Sequence, residues 1–122
     1  MDEVLCKLKR WGCDTDGALE RMLGDKELLL KCAEQVAADS TFSELESSLR
    51  EHNTDTAFEA AHTLKGICET SGLTPLCSAA QKIVEPLRRG KGENLFPAFQ
   101  ELQKKRQELE AILSEYSMEA KQ

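Results

Sequence analysis

The chain has 122 residues, of which 31% are charged and 5% aromatic, with a formal net charge of −6. That length gives one domain, residues 1–122, with a single modest core, and the richness in Leu, Ala, Glu, Lys and Gln is that of an all-helical bundle. The acidic balance excludes a nucleic-acid surface, which needs a basic field, and no apolar run approaches the roughly 20 residues of a membrane span.

The opening "MDEVLCKLKRWG" is charged throughout and lacks the apolar region of a signal peptide. Residues 2–10 read as a short helix, broken at "WGCDTDG". Asp14, Thr15 and Asp16 cap a second short helix that ends at Gly24. "DKELLLKCAEQVAADS" gives a longer helix with Leu28, Leu29, Cys32 and Val36 facing inward and Leu30 as a further candidate. "TFSELESSLREH" starts at a Ser40/Thr41 cap with Glu44 placed for a capping box, and its apolar stripe is Phe42, Leu45 and Leu49.

"HNTDT" is a turn whose Thr54 or Asp55 caps a helix running to about Ser71, with Gly72 placed for a left-handed C-terminal cap. The chain restarts at "LTPLC", Thr74 as cap and Pro75 at the first helical position. The stripe of this helix is Leu76, Ala80, Ile83 and Leu87, flanked by Cys77 and Val84. Pro86 kinks it or marks its last turn. Arg88, Arg89 and Lys91 complement the negative end of the same helix. After "RRGKGEN" a long helix runs from Leu95 to Tyr116, with Phe96, Phe99, Leu102, Leu109, Ile112 and Leu113 as apolar positions and Pro97 in its first turn. No β-type alternation occurs. The last four or five helices, joined by short loops, make an antiparallel bundle.

The five cysteines, Cys6, Cys13, Cys32, Cys68 and Cys77, are odd in number and form no C-x-x-C pair. They read as small apolar residues or free thiols in a reducing cytoplasm. Two histidines without metal-type spacing give no zinc site.

The informative stretch is "AAHTLKGICETSG", residues 60–72. With His62 at zero on a helical wheel, at about 100° per residue, Ala57, Ala60, Ala61, Leu64, Ile67, Cys68 and Ser71 fall near the opposite pole and form the buried stripe. His62 is therefore exposed, with Phe58, Glu59, Lys65, Gly66 and Glu69 within about 60° of it. Helical side chains lean toward the N-terminus, so a side chain at position 66 would cover His62. Glycine there costs roughly 1 kcal/mol relative to alanine and leaves the ring open.

An exposed imidazole is a nucleophile near neutral pH. Lys65 disfavours the imidazolium and attracts phosphoryl oxygens, and phosphoryl transfer asks a protein mainly for positioning and charge stabilisation. Phe58 lies off the buried stripe. It either tucks under a neighbouring helix or forms the apolar floor of a docking surface, with Glu59, Glu69 and Lys65 as the polar rim.

"AHTLKG", with Gly72 ten residues after the histidine, resembles the signature of histidine-containing phosphotransfer (HPt) domains. "GCDTDGALERMLGDKELL", Asp55 seven residues before the histidine, and "LTPLCSAAQKIVEPLRRG" extend the resemblance along nearly the whole chain. It implies an all-α, antiparallel up-and-down four-helix bundle with accessory short N-terminal helices. It implies His62 as phosphoacceptor, with Lys65 and Gly66 as the matching lysine and glycine. It also implies a phosphocarrier without turnover of its own, shuttling phosphate between receiver-domain aspartates or from a hybrid sensor histidine kinase. A polar residue on the next helix that hydrogen-bonds the histidine ring is carried onto Gln81. The expected protein is a cytoplasmic monomer with no cofactor; magnesium would belong to the acidic pocket of the receiver.

Three rivals compete with this reading. A helical adaptor would leave His62 incidental. A histidine-kinase dimerisation hairpin also presents an exposed histidine but adjoins a nucleotide-binding domain, and no Walker-type loop occurs here. A Cys68–His62 pair is disfavoured by about 120° of separation on the helix, and His52 reads as an ordinary turn residue.

Overall fold

The computed structural model describes residues 3–120, which form seven helices and, among those residues, no strand. In chain order they are α1 (Glu3–Trp11), α2 (Thr15–Arg21), α3 (Lys26–Ala37), α4 (Thr41–Arg50), α5 (Thr54–Thr70), α6 (Thr74–Arg88) and α7 (Phe96–Ala120). The expected start at residue 2 lies outside the described residues, and the last helix runs on past the expected Tyr116 to Ala120.

Helix α5 packs between α4 and α6, α6 packs on α7, and α7 returns to α3 and α4. Phe42, Leu45, Leu64, Leu76, Ile83, Phe99 and Leu102 fill the space enclosed, each essentially inaccessible. Helix α1 lies along α7. Val4 and Leu8 are buried, Trp11 Nε1 donates to Glu108 Oε1 at 2.9 Å, and Lys7 pairs with Glu115.

Several local expectations are corrected. In α3 the inward residues are Leu29, Leu30, Ala33, Val36 and Ala37, while Leu28 is 43% exposed and Cys32 half-buried. The helix turns its alanines toward α7, so small residues, not the bulkiest leucine, mark its inner face. The Ser40/Glu44 capping box does not form, because Ser40 is itself helical and its side chain makes no cap. Asp39 Oδ1 accepts from the Thr41 N–H at 2.8 Å instead. Arg106 secures the break between α3 and α4. Its Nε donates to the Ala37 carbonyl at 2.7 Å, satisfying a helix-end acceptor, and its guanidinium lies 4.6 Å over the Phe42 ring.

The cap of α5 is Asn53, whose side chain accepts from Thr56 N–H, rather than Thr54 or Asp55. His52 explains the displacement. It takes the left-handed conformation, φ 57°, while the Asn53 N–H reaches back to the Ser48 carbonyl at 2.9 Å. That closes α4 in a single residue and leaves Asn53 extended, as a cap must be. Leu73, not Thr74, precedes α6, and Pro75 sits in its first turn; Pro86 falls in the last turn, with Arg88 ion-paired to Glu85 at 2.8 Å.

Gly72 ends α5 as expected, and does more. With φ at 70°, its N–H bonds to Glu69 O at 3.1 Å and that of Leu73 to Cys68 O at 2.9 Å, the paired bonds of a Schellman turn. Its carbonyl accepts from the Asp14 N–H at 2.8 Å. A Cβ at Gly72 would stand 2.6 Å from Asp14 O and 2.9 Å from Ala18 Cβ. Arg21 of α2 donates to the Thr70 carbonyl at 3.1 Å and the Glu69 carbonyl at 3.2 Å, so a cation closes the negative end of α5.

Candidate functional site

The inner face of α5 is nearly all small. Ala57, Ala60, Ala61, Leu64 and Cys68 are buried, which brings α4 and α6 close on either side and turns the opposite face outward. His62, Glu59, Gly66 and Glu69 are exposed, and Phe58 and Lys65 are half-buried. These six neighbours on the wheel therefore share one outward strip.

The His62 ring lies 5.7 Å from that of Phe58, tilted by 31°. Phe58 packs on the core cluster as well, so one side of its ring is covered and the other borders His62. A Cβ at Gly66 meets nothing within 4 Å. The backbone there is ordinary helix and needs no glycine for its own conformation, so the missing side chain leaves open space one turn beyond the ring. Lys65 Nζ stands 3.7 Å from Glu69 Oε1, so its ammonium is held one turn further along the helix rather than at the imidazole.

Gln81 does not hydrogen-bond the His62 ring. Its Nε2 donates to Glu85 Oε1 at 2.7 Å along α6, and its Oε1 is buried without a partner among the described residues. Such an atom is uncommon in a folded protein. No group of described residues is arranged to hold a metal ion, and no described helix is long and apolar enough to cross a membrane.

Beside the imidazole runs an open groove between α3 and α5, lined by Cys32, Gln35 and Val36 of α3, by Asp39 just after it, and by His62, Thr63, Gly66 and Ile67 of α5. The α3 residues have no signature in the sequence. Cys32 reads there as core, and only the packing of two helices shows that it borders the histidine.

An exposed imidazole with clear approach, a movable cation one turn away and an aromatic ring at its edge can take up and release a small anionic group without needing a built pocket. The model of the Hpt domain family matches residues 26–116. The chain belongs to the Hpt domain family. Hpt domains are phosphocarrier modules of phosphorelays. The match takes in α3 to α6 and most of α7, and leaves α1 and α2 outside it. No curated protein and no solved structure gives a match to the chain.

Proposed function

We propose that this Hpt domain accepts a phosphoryl group on His62 from a receiver-domain aspartate or a hybrid sensor kinase, and passes it to a receiver. A ring nitrogen of His62 attacks phosphorus, the N–P bond forms as the acyl-phosphate O–P bond breaks, and the aspartate carboxylate leaves with the electron pair. Lys65 exchanges Glu69 for the phosphoryl oxygens, a contact of modest, salt-screened strength at an exposed site. Phe58 is the apolar floor for the partner, and Glu59 and Glu69 are its polar rim. Magnesium belongs to the receiver, and the carrier itself works as a cytoplasmic monomer without turnover. The order in which α4, α5, α6 and α7 pack supports an up-and-down four-helix bundle carrying α1 and α2 as accessories.

The observation that carries this reading is the exposed His62 ring beside the empty space at Gly66. Incubation with a panel of phosphorylated receiver domains should give acid-labile phosphate on the protein. His62→Gln should abolish it and His52→Gln should leave it intact. Labelling that persists in His62→Gln removes the assignment, and a chain that takes up no phosphate at all favours a helical adaptor.

A further inference from the structure

Where α5 packs on α6, on the side of α5 turned from His62, two cysteines meet. Cys68 of α5 is fully buried, Cys77 of α6 is half-buried, and their thiols share a hydrogen bond. Cys77 Sγ also lies 3.9 Å from the Lys65 carbonyl oxygen. None of the five cysteines is in a disulfide.

The two thiols differ in character. The hydrogen bond to Cys77, and then burial, push the Cys68 thiol up and keep it protonated. The hydrogen bond from Cys68 pulls the Cys77 thiol down; partial burial and Glu69 oppose this and Lys65 assists it. A third thiol, Cys13, is nearby but pushed up to about 11, chiefly by burial, then by Asp14 and Cys77. It is not hydrogen-bonded to Cys77. The thiolate is the attacking species in cysteine chemistry, and access decides which thiol meets a reagent first.

We propose that Cys77 is a peroxide-reactive thiol and Cys68 its resolving partner, so that oxidation closes a disulfide between α5 and α6. The Cys77 thiolate attacks one oxygen of hydrogen peroxide; an S–O bond forms, the O–O bond breaks, and hydroxide leaves to become water. Cys68 sulfur then attacks Cys77 sulfur. The S–S bond forms, the S–O bond breaks, and the departing hydroxide takes the Cys68 proton. Two thiols and one peroxide give one disulfide and two waters. Cys77 Sγ already lies 3.9 Å from the α5 main chain at Lys65, one turn before Cys68, so the bond draws on side chains of two helices that pack directly on each other.

Trypsin offers a direct assay, because Lys65 and Lys82 bound a peptide, residues 66–82, that contains both cysteines and no other. Treating the folded chain with stoichiometric hydrogen peroxide should remove two hydrogens from this peptide, reversibly by dithiothreitol. Cys77→Ser should prevent the change and Cys13→Ser should not. Cys68→Ala, which keeps the buried site apolar, should strand Cys77 as a sulfenic acid that dimedone traps. Circular dichroism on each variant separates a lost reaction from a lost fold. Oxidation confined to Cys6 or Cys32, or a bond from Cys77 to Cys13 or to a second chain, overturns the proposal.

Discussion

At the scale of single residues, the face of α5 is shaped as much by what is missing as by what is present. Gly66 has open space where a side chain would start, so Gly66→Ala should stabilise the helix by several tenths of a kcal/mol up to about 1. Gly66→Leu should instead slow phosphoryl uptake several-fold while thermal melting stays at or above the wild-type temperature. A wild-type rate in the leucine variant would show that the space is not needed. Phe58 is half-buried, and its ring is shared between the core and His62. Full burial of a phenylalanine is worth about 3–5 kcal/mol against alanine, so Phe58→Ala should cost about 2 kcal/mol in a denaturant titration. It should also weaken receiver binding in a parallel affinity measurement. These single-residue placements were largely legible from the wheel, because α5 buries a narrow, regular stripe. Lys65 was not, since periodicity gives the direction of a stem but not the partner its ammonium finds.

At the scale of elements, helix ends decided where the sequence reading held and where it slipped. The C-terminal glycine of α5 announces itself, because few residues other than glycine accept that conformation. Among the N-terminal caps Asp14 was legible, but those of α4, α5 and α6 were not: Ser40 lies beside Thr41 and Thr54 beside Asn53 and Asp55, and α6 starts after Leu73 with no side-chain cap at all. His52, left-handed at the end of α4, moves the α5 cap to Asn53. The rotation of α3 was illegible for a different reason: its inner face is set by α7, some seventy residues away. Gly72 is the element-scale position with most at stake. Gly72→Ala meets both a left-handed backbone and the close approach of Asp14 and Ala18, and should lose more than about 2 kcal/mol of stability by chemical denaturation. Gly90, also left-handed but with nothing within 4 Å, is the control and should lose only the backbone part.

At the scale of the whole molecule, α1 adds to its buried Val4 and Leu8 a polar contact with α7 that depends on pH. The Trp11 N–H holds the Glu108 carboxyl below the usual carboxylate range; burial opposes it, and Lys105 adds to it. A carboxyl depressed in the folded state adds stability above its unfolded value, and that stability is lost as pH falls through the folded one. Stability should therefore decline below about pH 4.5, the ordinary value for a glutamate, and Trp11→Phe should flatten that decline in melts taken at a series of pH values. An unchanged slope would mean that Glu108 is not coupled to α1. The polar part of this docking could not be read from periodicity, since the partners of Trp11 and Arg21 are a glutamate on α7 and main-chain carbonyls at the end of α5.

Those carbonyls bear on where the unit can be cut. The family match begins at residue 26, and a truncation there would spare every residue of the outward strip. It would also remove the Asp14 N–H and both Arg21 donors from Gly72, Thr70 and Glu69. The histidine would then ride on a helix whose far end had lost its lid of donors, free to fray toward Glu69 and Lys65. The minimal signature and the minimal working piece of this chain are different lengths.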